Sequence, residues 1–222
     1  MQISIEHINK KYGRKTVLRD ITFSATDGEC IGLLGGNGSG KSTLLSILAG
    51  VQRSDGGEFL CDGENLFKAH KQRNQKVGYI PQGTPLIEEL TAWDNLLLWY
   101  DKESLKKELS DGVLSMLGIN EFIKTTVSKM SGGMKKRLSI GCSVANKQSV
   151  LLLDEPTAAL DLVCKENITQ YLKEHKKSGG IVLLATHDVL ELELCDRWYI
   201  IKDGVLEPFE YKGDVQRLVE SL

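Results

Sequence analysis

Residues 35–43 read Gly35-Gly36-Asn37-Gly38-Ser39-Gly40-Lys41-Ser42-Thr43. This stretch fits the pattern G-x-x-x-x-G-K-[S/T] of a P-loop, in which backbone N–H groups and a lysine surround the phosphates of ATP or GTP. It lies between a short apolar run, Cys30–Leu34, and a helical pattern over residues 43–50, so it is predicted to join a buried strand to a helix. A glycine-rich turn without a ligand is the alternative, but the complete Gly-Lys-Ser-Thr ending favours a nucleotide site.

The residue types of this loop suit phosphate binding. Glycines allow positive φ angles and a close approach of the backbone to a ligand, and a helix N-terminus offers free N–H groups and the positive end of its dipole. Lys41 is predicted to reach the β- and γ-phosphates, and the Ser42 hydroxyl is predicted to bind Mg²⁺. The predicted ATP-binding residues of the loop are Gly36, Asn37, Gly38, Ser39, Gly40, Lys41, Ser42 and Thr43.

A second apolar run, residues 150–153, ends in Asp154-Glu155-Pro156 and resembles a Walker B motif. Ligands of open α/β sheets bind beyond the carboxyl ends of the strands, so both carboxylates should face the phosphates. Asp154 is predicted to hold Mg²⁺ through water, and Glu155 to orient and deprotonate the attacking water. Two acids that face solvent at a strand end are the alternative, which the P-loop in the same chain disfavours.

The chain contains a second glycine motif, Ser131-Gly132-Gly133-Met134, followed by Lys135-Lys136-Arg137. Ser131 is a favourable N-cap, and a helical pattern follows it, so a second helix N-terminus suited to an anion is predicted here. The three basic residues are expected to form a solvated helix face. The motif should lie on the far side of the molecule from the P-loop, so it would meet a phosphate only if two copies stack head to tail.

In their order along essentially the whole chain, these motifs resemble those of the ATP-binding cassette (ABC) ATPase domains. The resemblance implies that Tyr12 stacks on adenine and that Gln82 reaches Mg²⁺ and couples to a transmembrane partner. It also implies that Asp161, in Ala159-Leu160-Asp161, acts in the D-loop across a dimer, and that His187 is the switch histidine near the γ-phosphate. The implied signature residues, which cap a nucleotide held by the other subunit, are Ser131, Gly132 and Gly133.

The resemblance therefore implies catalytic roles for Glu155, His187 and Lys41, and Mg²⁺ ligation by Ser42, Gln82 and Asp154. The chain departs from the family pattern without losing a charged catalytic group. Gly36 stands where proline is frequent, and Ala159 where serine or glycine is common. Met130 and Met134 replace leucine and glutamine, and the run Met-Lys-Lys-Arg after Ser-Gly-Gly resembles the subset that serves ABC-2-type exporters.

Composition excludes several classes of function. A formal charge of −2 and a pI near 6.1 argue against direct nucleic-acid binding, which usually requires a basic face. The five cysteines are scattered and odd in number, as expected of reduced thiols. The N-terminus lacks the apolar core of a signal peptide, and no apolar run approaches the ~20 residues that span a bilayer. Any membrane role must therefore come through a partner, and the resemblance implies a cytoplasmic protein, peripheral on the inner face of the membrane through a permease.

The pattern of elements predicts an α/β P-loop NTPase with a mostly parallel central sheet, an antiparallel β-subdomain and a helical subdomain. Turn signals before Val77 suggest a β-meander. Alternation of strands and helices after Val150 predicts the parallel sheet. The chain is predicted to be a single ABC ATPase domain, residues 1–222, in which residues 83–146 form the helical subdomain that carries the signature motif. Within that subdomain, helices are predicted over residues 91–100 and 104–117.

The function implied is ATP hydrolysis at two composite sites in a homo- or heterodimer with a second ATP-binding subunit, driving transmembrane permease subunits. ATP and Mg²⁺ are the implied cofactors. The apolar residues between Gln82 and Tyr100 should leave some side chains exposed for docking to that permease. Two alternatives remain: a non-transport ABC protein acting on the ribosome or DNA, and a P-loop kinase or GTPase. The first usually adds a second cassette or a long coiled coil, and the second lacks Ser-Gly-Gly before Walker B.

Overall fold

The computed structural model describes residues 1–158, 160–211 and 213, which form two β-sheets with helices packed around them. The strands are β1 (Gln2–Tyr12), β2 (Lys15–Thr26), β3 (Cys30–Leu34), β4 (Gly56–Cys61), β5 (Glu64–Asn65), β6 (Val77–Ile80), β7 (Val150–Asp154), β8 (Ile181–Ala185), β9 (Arg197–Lys202) and β10 (Val205–Phe209). The helices are α1 (Lys41–Leu48), α2 (His70–Lys76), α3 (Ala92–Leu96), α4 (Lys102–Ser110), α5 (Val113–Met116), α6 (Gly132–Ser143), α7 (Leu162–Lys177) and α8 (Val189–Leu192). Two 3-10 turns, Ile119–Phe122 and Val127–Lys129, lie between α5 and α6.

The central sheet has six strands in the order β10-β9-β3-β8-β7-β6. All neighbouring pairs except β9 and β10 are parallel. Every residue of β3, β7 and β8 is buried, as expected for parallel strands covered on both faces. The carboxyl ends of these three strands therefore meet at one edge of the sheet, and the P-loop, Glu155 and His187 follow them in the chain.

A four-stranded antiparallel sheet, in the order β2-β1-β4-β5, lies beside the central one. Its buried residues share one core with α1, which includes Ile3, Leu18, Phe59, Leu44 and Leu48. This sheet confirms the antiparallel part of the predicted fold class. The helix α2 was not predicted. None of its seven residues is buried. The segment therefore has no apolar periodicity from which a helix could be predicted.

The helices between β6 and β7 differ in length from the prediction. The helix expected over residues 104–117 is interrupted near Gly112, so that two helices, α4 and α5, cover this segment. The Glu108 carboxylate accepts a hydrogen bond from the Val113 N–H at 3.0 Å, and a side chain at Gly112 would approach Glu108 Oε2 within 2.1 Å. The helix expected over residues 91–100 is the five-residue α3, which Thr91 and Asp94 begin with a capping box.

The expectation of a solvated basic face at Lys135-Lys136-Arg137 is wrong. Lys136 and Arg137 are buried. Arg137 donates to the Leu117 carbonyl at 3.0 Å and lies 5.0 Å from the centre of the Phe122 ring. The carbonyl and the aromatic face compensate part of the cost of burying the guanidinium, so residue charge alone does not identify the exposed side of α6.

The prediction of exposed apolar side chains between Gln82 and Tyr100 is confirmed. Ile87, Leu98 and Trp99 are 45%, 59% and 59% exposed, whereas Leu96 is buried in the helical core. Within the described part of the chain, none of the helices has the length and apolarity needed to cross a bilayer. All five cysteines are free and buried.

Candidate nucleotide site

The P-loop leaves the N-terminus of α1 open to a ligand. Gly40 is the N-cap, with φ 117°, and no side chain caps this end of the helix. The first N–H groups of a helix lack partners within it, and here they face the loop, where they are suited to bind phosphate oxygens. Only glycine fits at the cap, because a Cβ on Gly40 would lie 2.8 Å from Leu18 Cδ2 and 3.0 Å from the Val17 carbonyl oxygen.

Lys41 is buried, and its ammonium group lies inside the loop. Its Nζ donates to the Gly35 carbonyl at 2.5 Å and to the Gly36 carbonyl at 3.3 Å. Burial lowers the pKa of Lys41, although the nearby Glu155 and Asp154 carboxylates oppose this effect. A phosphate group would supply the negative charge that the carbonyl oxygens only partly provide.

Asp154 ends β7 and is buried beside the P-loop helix. Burial raises the pKa of Asp154, and a hydrogen bond from Ser42 opposes that shift. A buried carboxylate next to a hydroxyl is the hard oxygen donor set that Mg²⁺ prefers, with phosphates and water completing the coordination. The donors fit this ion, and the described residues contain no cluster of three or more His, Cys, Asp or Glu side chains that could hold another metal.

Glu155 follows β7 in the left-handed conformation, with φ 47°, which is strained for a residue with a side chain. Its N–H donates to the Ala185 carbonyl at 2.8 Å, so the backbone is anchored to the end of β8. One carboxylate oxygen accepts a hydrogen bond from the Gln82 amide at 2.9 Å, and the other lies 3.8 Å from His187 Nε2. The side chains of Gln82 and His187, from two other loops, therefore meet at Glu155.

The surroundings of His187 favour the neutral form of its ring. Burial lowers the pKa of His187, the Lys41 charge lowers it further, and Glu155 opposes both. The following residue, Asp188, accepts from the Leu190 N–H as the N-cap of α8 and forms an ion pair with Lys165 of α7. These contacts fix the backbone on which His187 is carried.

A cleft of about 480 Å³ lies over the P-loop, within the size range of small-molecule sites. It brings together most of the P-loop residues predicted to bind ATP, together with the catalytic candidate Glu155. Its lining residues are Val17, Asn37, Gly38, Ser39, Gly40, Lys41, Ser42, Thr43, Gln82 and Glu155. Tyr12 is not among them: it ends β1 with its ring half exposed, and its hydroxyl donates to Gln52.

The second glycine motif lies outside this cleft. None of residues 131–134 is among the described residues that line it. Ser131 is the N-cap of α6, as predicted, and its hydroxyl oxygen accepts from the Met134 N–H at 3.3 Å. A Cβ on Gly132 would meet nothing within 4 Å, whereas one on Gly133 would lie 2.9 Å from Cys164 Sγ.

Asp161, the predicted D-loop residue, is the N-cap of α7 and accepts from the Cys164 N–H at 2.8 Å. A Cβ on Gly133 would lie 3.9 Å from Asp161 Oδ2, so the N-termini of α6 and α7 are neighbours in one chain. Ala159 of the same predicted loop lies outside the described residues.

Comparison with known proteins matches residues 18–158 to the family model described as "ABC transporter". The chain belongs to the ABC transporter family. The match covers more than half of the chain and includes the P-loop, the signature motif and Glu155. This family agrees with the P-loop, Walker B and signature motifs of the chain, and with its mixed α/β fold.

Curated ABC transporter relatives align over nearly the whole chain. It is 36% identical over 218 residues to the linearmycin resistance ATP-binding protein LnrL of Bacillus subtilis, covering 96% of this chain and 70% of LnrL. It is 34% identical over 207 residues to the Nod factor export ATP-binding protein I of Sinorhizobium fredii, covering 91% of this chain and 60% of that protein. Both relatives are named as ATP-binding proteins.

Solved ABC cassettes share the fold. The ATP-binding cassette MJ0796, in a dimeric post-hydrolysis state bound to ADP and Pi, is 28% identical with a TM-score of 0.82, and the alignment covers 94% of this chain and 99% of that one. An ATP-binding subunit of an ABC transporter superposes with a TM-score of 0.84 at 24% identity, covering 99% and 94% of the two chains. The second likeness bears on the fold alone.

Sequence reasoning missed two features of this site. Lys136 of α6 donates to the carbonyls of Pro81 and Gln82, although the basic run predicted exposure. The ion pair of Lys165 with Asp188 joins α7 to the loop of His187. Asp188 lies in the predicted switch motif, but Lys165 belongs to no predicted motif. Both contacts join segments that are far apart in sequence, so no local pattern signals them.

Proposed function

We propose that this chain binds and hydrolyses ATP as one half of a head-to-tail dimer, and that the dimer drives transmembrane permease subunits. One observation carries the proposal. The cleft over the P-loop gathers a buried lysine, Lys41, and Glu155 beside the carboxyl ends of parallel strands, while the second glycine motif lies outside that cleft. The cleft contains the residues needed to bind a nucleotide, but the signature motif predicted to cap that nucleotide lies elsewhere. This separation favours a second subunit that supplies the cap.

The P-loop residues would bind ATP, with the N–H groups of α1 and the Lys41 ammonium facing the β- and γ-phosphates. Tyr12 would stack on adenine. Ser42, Asp154 and Gln82 would hold Mg²⁺ through oxygen atoms. When bound, this ion would neutralise charge that develops on the phosphate oxygens.

Glu155 would accept a proton from the attacking water, because its carboxylate lies in the cleft and is oriented by the Gln82 amide. His187, whose pKa is lowered by burial and by the Lys41 charge, would donate an N–H toward the γ-phosphate or the water. Positioning and charge neutralisation supply most of the catalysis of phosphoryl transfer, so these few groups suffice.

In the dimer, Ser131, Gly132 and Gly133 of one subunit would cap the γ-phosphate bound to the other. The Ser131 hydroxyl accepts from Met134 through its oxygen, which leaves its hydrogen free to donate. Asp161 lies beside Gly133 and would contact the partner through the D-loop. The dimeric MJ0796 cassettes support this arrangement.

The permease is the proposed second partner, with Ile87, Leu98 and Trp99 at the docking surface and residues 83–146 as the helical subdomain of one ATPase domain. This would hold the chain on the cytoplasmic face of the membrane. Relatives of similar identity are named for Nod factor export and for sulfate or thiosulfate import. We therefore propose a role in transport, in which the permease selects the cargo.

Phosphate release from Mg-ATP by Glu155→Gln tests the proposal. The amide keeps the shape of the side chain but accepts no proton, so the rate should fall by about 10²–10⁴-fold, the range for loss of a general base. Glu121→Gln, the same change at an exposed residue, is the control and should match the wild type. ATP binding should persist in Glu155→Gln, and an ATP-bound dimer should accumulate on size exclusion. Hydrolysis near the wild-type rate would remove Glu155 from the proposed role.

A further inference from the structure

Lys136 joins the signature helix to the loop that carries Gln82. It lies on α6 and is only 5% exposed. Its Nζ donates to the Pro81 carbonyl at 2.7 Å and to the Gln82 carbonyl at 3.3 Å. Both acceptors belong to the chain just after β6, so one ammonium group fixes two consecutive peptide units.

A buried ammonium at this position is costly unless something compensates it. Burial lowers the pKa of Lys136 to about 8, although Asp154, Glu191 and Glu155 oppose the shift. An apolar residue of similar length would fill the same space without this cost. The retained charge is therefore explained best by the two carbonyl groups that it holds.

The position of these carbonyls determines where the Gln82 side chain can reach. Gln82 is exposed, and the segment from Pro81 to Leu90 contains no helix or strand. Its amide nevertheless donates to the Glu155 carboxylate at 2.9 Å. The contacts thus run without interruption from Lys136 to the Gln82 backbone, then through the Gln82 side chain to Glu155.

We propose that Lys136 is a positioning residue for ATP hydrolysis, which holds the Pro81–Gln82 backbone so that the Gln82 amide meets Glu155. The inference rests on the proposed function of Glu155. It also places the mechanical link between the signature helix and the hydrolytic carboxylate inside a single chain. A nucleotide that is bound to the partner subunit and contacts the N-terminus of α6 would then contact the same helix that positions Gln82.

The first test compares Lys136→Met, which keeps length and removes the charge, with Lys136→Arg, which keeps the charge and the donors. Lys136→Met should lower kcat for Mg-ATP by about 10- to 100-fold, the scale expected when a catalytic group is displaced by about 1 Å. The KM for ATP and the nucleotide-induced rise in Tm should change little, because the P-loop is intact. Lys136→Arg should restore much of the lost kcat. Lys124→Met, at an exposed lysine of the same region, is the control.

A double-mutant cycle separates positioning from general support of the fold. If Lys136 acts through Gln82, the loss caused by Lys136→Met should be absent when Gln82→Ala is already present, because residues of one network are not additive. Full additivity of the two losses would overturn the proposal. Wild-type kcat in a folded Lys136→Met protein would overturn it as well.

Folding and the proposed function are checked separately. Should Lys136→Met fail to fold, Lys136→Gln, which keeps a donor without the charge, takes its place in the cycle, and additivity there has the same meaning. A wild-type protein that hydrolyses no ATP would refute the proposed function. An active wild type with an unaffected Lys136 variant would refute this inference alone.

Discussion

The P-loop and the signature motif use the same element, a glycine-rich turn before a helix, in opposite ways. At the P-loop, no side chain caps α1, and the buried Lys41 lies in the turn. At the signature motif, Ser131 caps α6, and none of residues 131–134 is among the described residues that line the nucleotide cleft. The first motif is equipped to bind a phosphate within its own chain, whereas the second offers only a cap.

Their glycines differ in the same way. Gly40 is required by its own chain, because of its φ of 117° and the close approach of Leu18. Gly132 is required by nothing nearby, since a Cβ there would meet no atom within 4 Å. Under the proposed function, this open position would admit a nucleotide bound to a second subunit.

Loss of Lys41 should have the largest effect on nucleotide binding. Mg-ATP at 100 times its dissociation constant should stabilise the wild type by about 2.7 kcal/mol. Lys41→Ala should abolish this shift, because it removes the cation that faces the phosphates. Thermal unfolding with and without Mg-ATP measures it, with Lys102→Ala, at an exposed lysine, as the control. An undiminished shift would contradict the assignment of the first motif.

The two glycines should differ in their effect on stability. Gly40→Ala should lower the free energy of unfolding by about 1–3 kcal/mol, since a side chain is strained in that conformation and would also meet Leu18. Gly132→Ala should leave the free energy of unfolding unchanged or slightly raised, because alanine favours the helix that begins there. ATP hydrolysis should nevertheless fall in both variants. Denaturant unfolding without nucleotide, paired with a phosphate-release assay, checks this contrast, and wild-type hydrolysis by Gly132→Ala would break it.

The smallest expected effect is a change in the pH dependence of stability, caused by His187 near the P-loop. Because the pKa of His187 lies below its ordinary value of 6.5, the unfolded chain binds more protons than the folded one as pH falls below that value. Its contribution to stability is complete above pH 6.5 and is lost as pH falls through the lowered pKa. Replacing His187 with Asn should therefore reduce the decline of Tm between pH 7 and about pH 5. An unchanged decline would mean that His187 does not titrate as its burial implies.

Much of the site could be predicted from the sequence because its parts follow local rules. A P-loop pattern between an apolar strand and a helix, and two acids at the end of another apolar strand, suffice to bring Lys41 and Asp154 to one edge of a parallel sheet. The N-caps Ser131 and Asp161 are local features of the same kind.

The remainder depends on tertiary contacts. The break at Gly112 arises from the Glu108 side chain, and α2 lacks any buried residue that would give it a pattern. The basic neighbours of Lys136 in the sequence favour a solvated face, whereas carbonyls about 55 positions away accept its hydrogen bonds. No periodicity within α6 could have shown this contact.

The central claim is that the two motifs complete one another between chains. Mixing Ser131→Arg with Lys41→Ala subunits tests it most directly, because their heterodimer pairs one intact P-loop with one intact signature motif. Each variant alone should hydrolyse almost no ATP, and Ser131→Arg should still bind it. Phosphate release should return on mixing, at a fraction of the wild-type rate. Full ATPase activity of a strictly monomeric Ser131→Arg protein would show that one chain suffices, and would contradict the account.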